Sequence, residues 1–188
     1  GRPLDPSPRG CDPEGVAALA DGGFWVSEEY GPSLMRVGAD GVVRTRWVPQ
    51  GVDLPGAEPR LPVRALKRRL NRGFEGLTAS ADERWLYLVF QSALADAPQE
   101  ATLIWKLDAR DGSLCGEFIY PFDPPASFPR DRAAGEADAE SLKVCELVWL
   151  GPDRLLVLES ITRDSRLYVV DLTGPGPLAK TLAFTTDD

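Results

Sequence analysis

The sequence predicts an all-β chain: three four-stranded sheets belonging to a β-propeller. Three features lead there, namely a unit that recurs three times, a dense supply of turn residues, and a central strand that is apolar on both faces. The first unit opens with Glu14 and a strand over residues 14–19, turns at 20–23, and returns over 24–28. The second opens with Glu75, with strands over 75–80 and 85–91, and the third with Glu146, with strands over 146–150 and 155–159. Each then adds a third strand (34–37, 103–107, 167–172), a Gly-bearing turn and a fourth strand (42–48, 114–120, 178–184). Four strands joined by hairpin turns make a meander. The 18 Gly and 17 Pro suit many short strands better than long helices.

In the second unit Leu86, Leu88 and Phe90 fall on one face, and Trp85, Tyr87 and Val89 on the other. A strand open to water on one side alternates apolar with polar, so this pattern predicts cover on both sides. The leading carboxylates lie 61 and 71 residues apart, longer than a bare blade of roughly 40–45 residues. Two insertions absorb the excess, at about 51–72, with a short basic helix over 63–70, and at about 121–141, a loop. The whole chain, 1–188, reads as one domain. Three sheets are too few to close a ring, which takes roughly four to eight, so the chain is expected to be part of a larger one.

Composition narrows the chemistry. A net charge of −8 argues against a nucleic-acid partner, and no apolar run is long enough to cross a membrane. There is no histidine, which excludes Ser-His-Asp and Cys-His nucleophile systems and His-ligated zinc. Cys11, Cys115 and Cys145 form no C-x-x-C pair, so zinc held by cysteine is not expected. Buried free thiols are the ordinary reading, with a Cys11–Cys145 disulfide as the alternative. The remaining chemistry rests on carboxylates, Arg, Lys, Tyr or a metal that prefers oxygen.

Such groups concentrate at strand ends. Asp12 and Glu14 precede the first strand and Glu28 and Glu29 end the second, so an antiparallel hairpin brings all four to one end of the sheet. Glu75, Glu146 and Glu159 hold corresponding places in the other units. Clustered acids repel unless a cation balances them, and hard oxygen ligands suit Ca²⁺ first and Mg²⁺ second. The metal ligands expected are therefore Asp12, Glu14, Glu28, Glu75, Glu146 and Glu159. Arg64, Lys67, Arg68, Arg69 and Arg72 crowd the approach to Glu75; Arg72 and Arg69, with Tyr30, are the candidate contacts to an anionic substrate. Glu29, Glu75 and Arg72 are the candidate catalytic residues. The opposing reading is plain: acids solvated at strand ends and a basic helix face that balances charge. Asp21, Asp82 and Asp153 sit in turns and are expected to make local Asx hydrogen bonds, while Trp25, Trp85, Trp105 and Trp149 are expected to pack.

At Asp12-Pro13-Glu14-Gly15, at Phe24 to Pro32, at Asn71 to Leu77 and at Leu155 to Glu159, the chain resembles the bacterial phytase-like family labelled "esterase-like activity of phytase". The resemblance implies a propeller, a periplasmic or secreted setting, and hydrolysis of a small anionic ester, phosphate or related. The third repeat departs from the family at Cys145-Glu146-Leu147, where Ser-Asp-Leu is more typical, and a further E-G-L segment is missing after Leu172. Two other functions fit the same pattern. One is a calcium-stabilised propeller that binds a protein or carbohydrate without catalysis. The other is a lactonase-like propeller enzyme, disfavoured by a single Asn and no His.

Overall fold

The computed structural model describes residues 10–174 and 176–186. The described residues form an all-β fold, with three sheets and no closed barrel among them. The first sheet runs in the order β1 (Pro13–Ala18), β2 (Phe24–Glu28), β3 (Ser33–Val37), β4 (Val43–Pro49) and β5 (Glu58–Leu61). The second contains β6 (Phe74–Ala79), β7 (Trp85–Phe90), β8 (Ala101–Asp108) and β9 (Leu114–Pro121). The third contains β10 (Lys143–Gly151), β11 (Arg154–Ser160), β12 (Ser165–Asp171) and β13 (Lys180–Thr185). Neighbours pair antiparallel in chain order, as the hairpin turns dictate, except at β5.

That exception corrects the expected count of four strands per sheet. β5 lies inside the anticipated 51–72 insertion and pairs parallel with β4, Trp47 opposite Glu58. Glu58-Pro59-Arg60-Leu61 shows no apolar alternation, and an edge strand tolerates the proline because its outer side needs no donor. After it comes a 3-10 turn over Val63–Lys67, shorter than the basic helix expected. Nor is the 121–141 stretch a bare loop: it folds into 3-10 turns at Pro125–Ser127 and Ala139–Ser141 and a short helix α1 (Pro129–Ala134) ended by left-handed Gly135.

The central sheet is buried on both faces. Leu86, Leu88 and Phe90 join Trp25, Leu34, Trp47, Phe74 and Trp105 in one core against the first sheet. Tyr87 and Val89 join Tyr120, Val144, Val157, Tyr168 and Val170 in a second core against the third. Each such side chain contributes roughly 1.5–3 kcal/mol on burial. Trp25 and Trp105 are fully packed; Trp85 and Trp149 border the second core, and Arg84 and Lys106 stack on Trp85.

The leading strands lie side by side, β1 against β6 and β6 against β10. Glycine makes this approach possible. A Cβ on Gly15 would stand 2.6 Å from Glu75 O and Leu77 N, and one on Gly76 would stand 2.7 Å from Leu147 N. Any side chain there would force the sheets apart. The register of each leading strand shifts by one residue: between Pro13 and Val16, between Phe74 and Leu77, and between Val144 and Glu146.

Candidate functional site

The bulges set which side chains meet. Pro13 opposes Glu28, Phe74 opposes Phe90, and Val144 opposes Glu159. Glu14 and Glu75 are thus equivalent, and their counterpart in the third sheet is Cys145. Glu146 falls at the position of Gly15 and Gly76. On the returning strands the residues just past these pairs are Glu29, Gln91 and Ser160.

Asp12, Glu14 and Glu29 each place a carboxylate oxygen within 4.8 Å of the others. Glu29 N–H donates to Asp12 O at 3.0 Å, which locks the two segments together. Glu75 joins through Gln91, whose Nε2 donates to Glu29 Oε1 at 2.6 Å and to Glu75 Oε2 at 2.7 Å. Gln91 is itself held by its backbone N–H on Gly73 O at 2.9 Å. Ser27 fixes the floor: its hydroxyl accepts from Gly15 N–H and donates to Glu75 O, both at 2.9 Å.

The electrostatics are those of acids with too little opposing charge. Burial, followed by the charges of Glu75, Glu14 and Asp12, pushes the Glu29 carboxyl up to about 7. Glu75 is raised mainly by burial and further by Glu14, against hydrogen bonding from Gln91 and the charge of Lys143. Glu14 is raised by burial and then by Asp12. The charge of Lys143, which also acts on Cys145, lowers Glu14 and Glu75 in part against these effects.

Other expected ligands lie apart from this group. Glu28 is the last residue of β2, one before the turn that carries Glu29. It accepts from Asp12 N–H (3.2 Å) and from Gly31 N–H (2.9 Å), and it faces Arg46 at 3.6 Å. Its counterpart Glu159 is fully buried and accepts from Tyr120 Oη, Lys180 Nζ and Asp123 N–H, each at 2.7 Å. Glu146 reaches between sheets to accept from Leu77 N–H (3.3 Å) and Leu147 N–H (2.9 Å). These three acids are occupied by protein donors. The register therefore differs by one residue from the alignment expected in the third repeat: Cys145, not Glu146, is the counterpart of Glu14 and Glu75.

The basic residues divide as well. Arg64 pairs with Glu117 at 2.5 Å, and Arg68 donates to the Tyr30 carbonyl at 2.6 and 2.9 Å. Arg69 and Arg72 line a separate small cavity of about 210 Å³. Tyr30 is exposed and borders a cavity of about 540 Å³, which Asp12 also lines; its walls include Val48, Pro49, Val52, Leu54 and Leu66. The Asp21 and Asp82 carboxylates accept from Gly23 N–H and Arg84 N–H, as turn residues do. All three cysteines are free, Cys11 and Cys115 exposed and Cys145 half-buried, so neither a disulfide nor full burial is found.

Gln91 and Lys143 were not anticipated from the sequence. An amide at the end of a strand carries no charge signal, and only the register shows that Gln91 stands where Glu29 does.

An all-β protein with a cluster of carboxylates where its leading strands meet is the class these features define. Residues 1–185 match the phytase-like family, described as "Esterase-like activity of phytase", and the chain belongs to that family. An uncharacterized secreted protein of Arthroderma benhamiae is 33% identical over 101 residues, covering 44% of this chain and 20% of that one. A Bacteroides caccae protein of unknown function superposes with a TM-score of 0.49 at 10% identity, over 97% of this chain and 48% of that one. A virginiamycin B lyase from Staphylococcus aureus gives 0.42 at 14% identity, over 90% and 40%. The chain thus spans less than half the length of each of these proteins. No helix among the described residues is long and apolar enough to cross a membrane.

Proposed function

We propose that this chain is the ester-hydrolysing part of a secreted or periplasmic β-propeller, with a divalent cation, Ca²⁺ before Mg²⁺, held by Asp12, Glu14 and Glu29. The observation that carries the reading is the approach of those three carboxylates to within 4.8 Å of one another, with no basic side chain ion-paired to them among the described residues. The donor set fits a hard cation: three carboxylates, two of them raised in pKa, with only oxygen ligands. Such an ion would supply Lewis-acid polarisation of the ester or phosphoryl oxygen.

The chain's own residues perform the rest. Asp12, Glu14 and Glu29 fix the position of the reacting group. Glu75 is held toward the cluster by Gln91, and its raised pKa suits it to take a proton from an attacking water and return it to the departing oxygen. The apolar walls of the 540 Å³ cavity beside Asp12 receive the organic part of the ester. The propeller reading is supported by the side-by-side leading strands, by a middle sheet covered on both faces, and by exposed apolar residues on the flanking sheets, such as Val16, Val148 and Leu150. The description of the Arthroderma relative as secreted supports the compartment.

The test is paired. Unfolding is followed with Ca²⁺ and with chelator, and hydrolysis of phosphate and carboxylate esters is assayed under both conditions. Calcium is expected to raise the melting temperature and to be required for turnover. A protein that neither gains stability nor turns over any ester with Ca²⁺ overturns the proposal.

A further inference from the structure

The tight turn after the 3-10 segment places two guanidinium stems side by side. Arg69 and Arg72 form an antiparallel bridge, with Arg72 N–H donating to Arg69 O at 3.1 Å and Asn71 in the left-handed region at φ 52°. Asn tolerates that conformation. The turn faces Ser92, just past β7, and the segment 139–142, and the three enclose the cavity of about 210 Å³.

Two of its donors have no acceptor. Arg72 Nη2 donates to Glu140 O at 3.1 Å, but Arg72 Nη1 is buried with no hydrogen-bond partner. Ser92 is 8% exposed, and its hydroxyl is likewise buried without a partner. Gln99, with its amide oxygen turned inward, accepts from Arg69 Nη1 and Nη2 at 3.1 and 3.2 Å and so steadies that guanidinium. Neither arginine forms an ion pair among the described residues, in a chain whose acids outnumber its bases 29 to 21. Glu140 gives Arg72 its main-chain carbonyl, and its side chain lies at the exposed rim. Buried donors left unmatched are costly and need an explanation.

We propose that this cavity is an oxyanion subsite that takes a phosphate-type group, with Arg72 Nη1 and Ser92 Oγ as its donors and Arg69 supplying charge. Two guanidiniums and a hydroxyl match the several acceptor oxygens of such a group. The subsite adjoins the carboxylate cluster through consecutive residues: Gln91 holds Glu29 and Glu75, while Ser92 turns into the cavity. Resting on the ester-hydrolase reading, this defines the substrate further, as an ester bearing an anionic group apart from the bond that reacts.

The experiment titrates inorganic phosphate, and separately sulfate, into the intact chain with chelator present, by calorimetry and by melting temperature. Saturable binding is expected, weakened about tenfold or more by Arg72→Gln and several-fold by Ser92→Ala. Ser92→Ala is the decisive variant: it removes an unmatched buried hydroxyl, so the protein is expected to be no less stable while phosphate affinity falls. Absence of saturable binding, or equal binding by the wild type and both cavity variants, overturns the subsite and leaves water as the only occupant. Because no metal or turnover enters the measurement, that failure is separate from failure of the hydrolase reading.

Discussion

Two acid clusters occupy corresponding ends of this molecule, and they are resolved in opposite ways. In the third sheet Glu159 and Asp123 are met by Lys180, which stands 2.7 Å from each, and Asp123 is met also by Arg166 at 2.7 Å. Tyr120 donates to Glu159 and Tyr168 to Asp123. Burial pushes the Asp123 carboxyl up, but hydrogen bonds from Lys180 and Tyr168 outweigh it and hold the group below its usual value. Burial and the neighbouring carboxylates raise both phenols well above their ordinary range. In the other cluster the Gln91 amide bonds Glu29 and Glu75, the charge of Lys143 acts on Glu14 and Glu75, and the Glu14, Glu29 and Glu75 carboxyls are all raised. The first cluster is complete as protein, joining the 121–128 segment to the third sheet. The second has no ion-paired cation among the described residues, and the proposed cation site rests on that contrast.

The largest effect is expected in the complete cluster. Lys180→Met leaves Glu159 and Asp123 facing each other in a buried place, and breaking one partner of such a network costs about 3–5 kcal/mol. Equilibrium unfolding measures it. A loss below about 1 kcal/mol would mean that the two clusters do not differ as described.

The incomplete cluster should respond with the opposite sign. Glu29→Gln removes a charge the fold resists, so with chelator at neutral pH the variant is expected to be more stable than the wild type by about 1 kcal/mol or more, one pKa unit being worth about 1.4 kcal/mol. It should also abolish the gain from calcium. The pH dependence follows from linkage. Glu29 titrates near 7 in the folded chain against an ordinary 4.5, so the folded state holds its proton more tightly. The corresponding stability is fully present below about 4.5 and is lost as pH rises through 7. Chelated wild type is expected to lose stability between pH 5 and 8 more steeply than Glu29→Gln, and calcium should flatten the difference. Parallel pH profiles would show that Glu29 is not strained.

Much of this architecture was legible because it rests on periodicity and turns. The two-faced apolar run 85–90 announced a covered strand, and Asp12-Pro13-Glu14-Gly15 placed two acids at a strand end. What stayed hidden depends on register and on contacts distant in sequence. β5 has no alternation to reveal it. Glu28 and Glu159 look like ligands until the strands show them facing Arg46 and Lys180. Gln91 gains meaning only as the counterpart of Glu29, and the orphaned donors of Arg72 and Ser92 are invisible without coordinates.

The smallest effects test the alignment itself. If the bulge defines the site, Glu146 lies outside it, because its Oε1 bonds only main-chain N–H groups of Leu77 and Leu147. Glu146→Gln keeps an oxygen acceptor there, so it is expected to cost under about 1 kcal/mol and to leave the calcium response unchanged. Cys145, half-buried among Lys143, Glu75 and Arg72, stands where Glu14 and Glu75 stand in their sheets. Cys145→Glu therefore adds a carboxylate to the cluster. The chelated protein is expected to lose stability, and the calcium-dependent gain in melting temperature is expected to grow. The reverse pattern, with Glu146→Gln abolishing the response and Cys145→Glu doing nothing, would return the site to an alignment by acids and remove the register argument that separates the two clusters.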